Sequence, residues 1–337
     1  MNGADMNDSI EGWDEHRAMA LLGAMSEVAA RGEHDSDKAA RLVESAGRYV
    51  FGIEMSGSDP VGAVDPATLA GILETDAQRS LAVEFLVLVP YCDPSVEGAE
   101  VDRVEDYASA LGAHPQALED LHRVRQGHIK RLFFDYTRRA AGAVKMKGDE
   151  RGILRRTWDE IHQYVGDPKL TEQYLPLESY PEGSLGRTFF DFYRARGFAL
   201  PGEKHSLGDE VVGHDCCHIL SGFNTDGRGE INVAGFEAGM KSDGFGWELL
   251  MEVILDFQLG INFGLALVGY TSKTDELDPE QVMVGVRRGL DCTVDLMGPE
   301  WDFWADAEKQ VTDLREQYGI KGVEAVLLDP PEHPATG

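Results

Sequence analysis

Apolar residues recur at three- and four-residue spacing through the first third of the chain. Met19, Leu22, Met25, Val28 and Ala29 form one series, and Leu42, Ala46, Tyr49, Val50 and Ile53 form a second. That period places each set on one face of a helix. Pro60 and Pro66 frame a Gly/Asp/Ser loop, after which 67–73 and 81–89 read as helices. Val101, Val104, Tyr107, Ala108 and Leu111 predict another, ended by Gly112. Further on, 188–193 is an aromatic run, and 254–270 is a long apolar window. Asp256, Gln258 and Asn262 interrupt that window and favour a buried helix over a membrane span. Gly260, Gly264 and Gly269 would let another helix or a ligand approach it closely.

Charge divides the chain into blocks. The formal net charge is −29, distributed as −17 over residues 1–120, +6 over 121–160 and −18 over the remainder. The expected layout is mostly α: an acidic helical bundle over 1–125, a basic connecting helix over 126–165, a second all-helical, metal-binding domain over 166–325, and a disordered tail over 326–337. An acidic field repels phosphate backbones, so nucleic acid is excluded as a partner. The basic stripe, from Arg123 and Arg125 to Arg155 and Arg156, reads as neutralising the acidic blocks beside it. Four cysteines, Cys92, Cys216, Cys217 and Cys292, make no disulfide framework and suit a reducing compartment. The start of the chain lacks a basic segment followed by an apolar one, so no signal peptide and no transmembrane segment are expected.

The chemistry concentrates in 184–239. Ser206 and Asp209 read as a capping box opening a helix that Gly222 closes. Within it lies His214-Asp215-Cys216-Cys217-His218. At about 100° per residue, the two imidazoles stand on consecutive turns of one face, with Asp215 at its edge. Two histidines at that spacing can share a metal, as in zincin helices. Asp215 can ligate or can orient an imidazole. Glu230 follows a polar turn, 224–229, able to fold back toward the helix. These donors suit one divalent ion, Zn, Fe or Mn, with Zn the first choice. Arg187, Arg194 and Arg196, beside the aromatic run, are candidates to receive a substrate carboxylate. An apolar slot is expected from Phe189, Phe192, Phe257, Leu259, Phe263 and Leu267, with Asp226 and Glu237 as supports for the ligands.

His-Asp-x-x-His, eleven residues and then Glu resembles the signature of the ubiquinone-biosynthesis family named for the fourth coenzyme Q protein. Leu185-Gly186, Gly229-Glu230, Phe236-Glu237, Trp301, Trp304 and 314–320 match around it. The resemblance spans about 170–322. It implies an all-helical fold, a metal held by His214, Asp215, His218 and Glu230, and a groove for prenylated rings. It implies metal-dependent oxidative decarboxylation or modification of a prenylated aromatic quinone precursor, a lyase-type activity with Glu230, Arg194 and Arg196 as catalytic candidates. Partners implied are an isoprenoid lipid and other quinone-biosynthesis enzymes. The expected protein is a cytoplasmic homo-oligomer, peripheral at the inner face of the membrane. A non-catalytic lipid-binding scaffold and a metal-dependent hydrolase are the rival readings. Over about 14–125, Asp93 and Glu100 beside an apolar helix resemble the TerB-like fold of tellurite-resistance proteins, whereas a first, weaker copy has Arg31 at the acidic position.

Overall fold

The computed structural model describes residues 10, 12–32, 37–54, 62–96, 98–129, 132, 166–206, 208–209, 211–241, 245–261 and 274–323. Helices and their connections account for these residues. No strand occurs among them, only an isolated bridge between Ser184 and Gln310. In chain order the helices are α1 Glu15–Ala29, α2 Asp37–Ser45, α3 Pro66–Ile72, α4 Asp76–Leu88, α5 Gly98–Leu111, α6 Gln116–Arg125, α7 Pro168–Tyr174, α8 Leu185–Arg196, α9 Val212–Ser221, α10 Gly227–Met240, α11 Phe245–Phe257, α12 Pro279–Asp291, α13 Phe303–Asp306 and α14 Val311–Gln317. Two compact units contain them. One joins Met1–Thr137 with Glu230–Leu290; the other joins Arg138–Gly229 with Asp291–Gly337.

The first unit starts its helices where the sequence provides acceptors for orphan N–H groups. Asp14 accepts from the Arg17 amide at α1, Asp65 accepts from Ala67 and Thr68 before Pro66 opens α3, and Thr75 forms a capping box with Gln78 at α4. Leu21, Leu22, Met25, Phe85 and Tyr107 are fully buried in its core. Trp247 of α11 stands edge-on to Phe85 at 5.2 Å. Gln258, just past α11, donates to the Cys92 carbonyl at 2.9 Å and accepts from the Leu277 amide. Helices α10 and α12 meet backbone to backbone through Gly235 and Gly239 on one and Gly285 and Gly289 on the other. A Cβ at Gly289 would lie 2.0 Å from the Phe236 carbonyl, and one at Gly239 would lie 2.2 Å from that of Val286.

Two expected helices differ in extent. The series from Leu42 to Ile53 is broken: α2 ends at Ser45 and a π-turn, Ala46–Val50, follows. Within the apolar window at 254–270, the described residues include the end of α11, which stops at Phe257. Gln258 then uses its side chain on neighbouring backbone, and Gly260 takes a left-handed φ of 69°. Residues 262–270, with Phe263, Gly264, Leu267 and Gly269, lie outside the described residues. So do the basic stripe from 133 to 165 and the tail. Arg123 pairs with Asp120 and Glu119, and Arg125 pairs with Asp102, so these two arginines of the stripe face acids of the first block. No described helix is long and apolar enough to cross a membrane.

In the second unit, Phe189 of α8 packs with Tyr174, Tyr193 and Phe303 at centroid distances of 4.5–5.9 Å. The start of α8 is anchored to the chain before α14: the Leu185 and Gly186 amides donate to the Lys309 and Ala307 carbonyls at 2.8 Å. A Cβ at Gly186 would come within 3.0 Å of Leu177, Tyr180 and the Ala307 carbonyl, which explains the glycine there.

Candidate metal centre

Helix α9 carries the centre, and its start is not the expected one. It begins at Val212 after Val211, which makes no side-chain cap. Ser206 instead accepts from the Gly202 amide, and Asp209 meets the Val212 amide through its backbone carbonyl, so the capping-box expectation is corrected. The C-terminus ends as expected at Gly222, with φ 81°. Arg315 of α14, itself buried, donates from Nε and Nη2 to the carbonyls of Leu220 and Ile219 at 3.0 and 2.8 Å. This fork satisfies two orphan acceptors of α9 with a charged donor. The closing segment of the family resemblance is therefore the piece that holds the histidine helix.

His214 and His218 meet through their Nε2 atoms at 3.2 Å, with ring planes 87° apart. His218 is 1 % exposed, and its Nδ1 lies 3.1 Å from the Phe223 carbonyl. A carbonyl can only accept, so Nδ1 carries a proton and a neutral ring leaves Nε2 with its lone pair toward His214. Donor atoms of His214, His218 and Glu230 lie within 4.8 Å of one another. Glu230 belongs to the first turn of α10, which already takes in the end of the polar stretch 224–229. The preceding turn is tightly built: Asp226 accepts from the Gly229 amide at 2.8 Å, and a Cβ at Gly229 would collide with the Asn224 carbonyl at 1.9 Å.

Asp215, expected as the fourth ligand, is not in this group. Its carboxylate accepts the hydroxyl of Tyr193 on α8. Cys216 is fully buried, and burial, together with the nearby Asp215 and Asp306 charges, pushes its thiol far up, so it stays protonated and is a poor ligand. The candidate arginines are engaged elsewhere. Arg194 forms a two-pronged pair with Glu203 and covers the Phe190 ring; Arg187 pairs with Asp191. Arg196 is buried with its guanidinium 4.0 Å from the Phe192 ring centroid, donating to Thr225 and Asn224. Arg196 thus fixes the turn that leads to Glu230, a role missed by reading it as a substrate receptor. Phe189 and Phe192 are buried core of the second unit and Phe257 of the first, Leu259 is partly buried, and Phe263 and Leu267 lie outside the described residues. Phe192 does approach His218, at 6.1 Å between centroids. Glu237, two turns beyond Glu230 on α10, is fully buried.

No protein-family model matches the sequence, and no curated protein matches it. A solved structure from Nostoc punctiforme, of a protein provisionally assigned to ubiquinone biosynthesis, shares 18 % identity. The match covers 74 % of this chain and 100 % of that one, with a TM-score of 0.30. A superposition at that level decides nothing about the site.

Proposed function

We propose that the chain is a metal-dependent enzyme in which His214, His218 and Glu230 hold one divalent cation, and that it acts on a prenylated aromatic of the quinone-precursor class. The carrying observation is the convergence of three donors within 4.8 Å. Two imidazoles and one carboxylate form the donor set of catalytic zinc sites and of non-haem iron sites, both of which keep positions open. A structural zinc site is usually closed by four protein donors, so a set of three favours catalysis over the scaffold reading. The substrate class is supported by the His-Asp-x-x-His-x11-Glu signature.

The residues fit such an ion. The Phe223 carbonyl fixes the His218 tautomer, the Arg315 fork fixes the end of α9, and the Asp226 and Arg196 contacts fix the approach to Glu230. A bound cation would supply Lewis-acid polarisation of a substrate oxygen. The chain itself contributes ligand orientation, with Phe192 as an apolar wall against the His218 ring.

Elemental analysis of the purified protein should find about one divalent ion per chain. His214→Ala and His218→Ala should each lose it while keeping their helical circular dichroism. Full occupancy in both variants would refute the assignment. Glu230→Gln should weaken binding by roughly 10- to 100-fold. If it also abolishes quinone formation in complementation with metal in excess, the site is catalytic; normal complementation would return the scaffold reading.

A further inference from the structure

Helix α9 is ten residues long, too short to hold its own last turn closed in water. That turn begins at His218, and three contacts close on this histidine from its C-terminal side. Its carbonyl accepts the Gly222 amide at 2.9 Å, and its Nδ1 donates to the Phe223 carbonyl at 3.1 Å. Between these two points the Arg315 fork takes the Ile219 and Leu220 carbonyls. The Phe223 carbonyl stays on the ring only while the turn before it is closed, so the group that sets the His218 tautomer depends on the fork. His214 lies one turn nearer the start of α9, away from the carbonyls that the fork takes. Arg315 is equipped for such a task. It is 7 % exposed, and α14 is anchored by buried Leu314 and by the Val311 amide, which donates to the Gly183 carbonyl at 2.9 Å. A buried guanidinium needs acceptors to keep its charge, and a helix C-terminus presents carbonyls with partial negative charge. A lysine lacks the planar fork that engages both at once. Resting on the metal reading above, we propose that Arg315 is a positioning residue for the metal: it closes the last turn of α9, so that the Phe223 carbonyl keeps His218 in the one tautomer whose Nε2 lone pair can face the ion.

The test uses the full chain with 13C- and 15N-labelled histidine, because the imidazole chemical shifts report the tautomer in the metal-free protein. The His218 signals are assigned by their loss in His218→Gln. Co2+ is the probe for affinity, read by competition with a chelating dye. Wild-type His218 should be protonated at Nδ1. Arg315→Ala should mix the two tautomers at His218 and weaken Co2+ binding by roughly 10- to 100-fold, the size of effect expected for a group that orients a ligand. Arg315→Lys should fall between the two, since it keeps the charge but not the fork. Millimolar guanidinium ion should restore both readings in Arg315→Ala, and ammonium ion should not; a general loss of stability would not respond in that way. Where Arg315→Ala fails to fold, Arg315→Lys carries the same comparison. Wild-type affinity in the variants would overturn the proposal. So would weaker binding with the His218 tautomer unchanged. If the wild type takes up no Co2+, the metal reading fails and this role of Arg315 fails with it; uptake with unchanged variants removes the role of Arg315 alone.

Discussion

At the scale of single residues, the same chemistry serves ligation in one place and stability in another. Glu84 on α4 has no cation beside it among the described residues. Desolvation first, and then the Glu248 charge, raise it from 4.5 to about 8. A carboxyl raised on folding binds its proton more tightly in the native state. Its stabilising contribution is full at low pH and is lost as pH climbs from the ordinary carboxylate value toward 8. Glu84→Gln removes that loss. Its denaturant midpoint should match wild type near pH 5 and exceed it at pH 8, by roughly 1–3 kcal/mol once partial solvent access is allowed for. A difference independent of pH would mean that Glu84 is ionised in the native protein.

At the scale of elements, glycine decides how closely helices pass. Gly235 and Gly239 on α10 and Gly285 and Gly289 on α12 are each four residues apart, and a methyl at any of them meets backbone of the opposite helix within 2.7 Å. Backbone cannot rotate aside as a side chain can. Gly289→Ala should destabilise by about 1–3 kcal/mol despite the better helix propensity of alanine. Gly71→Ala in α3, where nothing lies within 4 Å, should be neutral or stabilising by up to about 1 kcal/mol. Paired thermal melts check both. Equal effects at the two sites would show that α10 and α12 are farther apart than described.

At the scale of the molecule, the first unit is discontinuous in sequence. Its N-terminal helices take Trp247, Gln258, Asp275 and Glu280 as partners for Phe85, Cys92, Lys38 and Tyr49. A fragment of residues 1–125 lacks all four. It should therefore show weak near-ultraviolet circular dichroism and broad unfolding, and co-expression with 230–290 should restore a cooperative transition. A sharply melting fragment of 1–125 would establish instead the self-sufficient acidic bundle that charge blocks and the TerB resemblance suggest.

Local chemistry was legible from the sequence: helical class from the spacing of Leu22, Met25 and Val28, the end of α9 from Gly222, and the His214/His218 pair from a four-residue interval. These depend on the helical repeat and on glycine's access to positive φ, both properties of short segments. Long-range partners were not legible. Asp215 accepts the hydroxyl of Tyr193, 22 residues away, a partner that no local interval announces. Arg196 looked available, but packing put it over Phe192. Arg315 became the clamp on α9 only when α14 was folded against it, and 230–290 joined the N-terminal helices where Trp247, Gln258, Asp275 and Glu280 meet Phe85, Cys92, Lys38 and Tyr49. A residue's type fixes which bonds it can make; only the assembled fold fixes which acceptor is nearest once water has been removed.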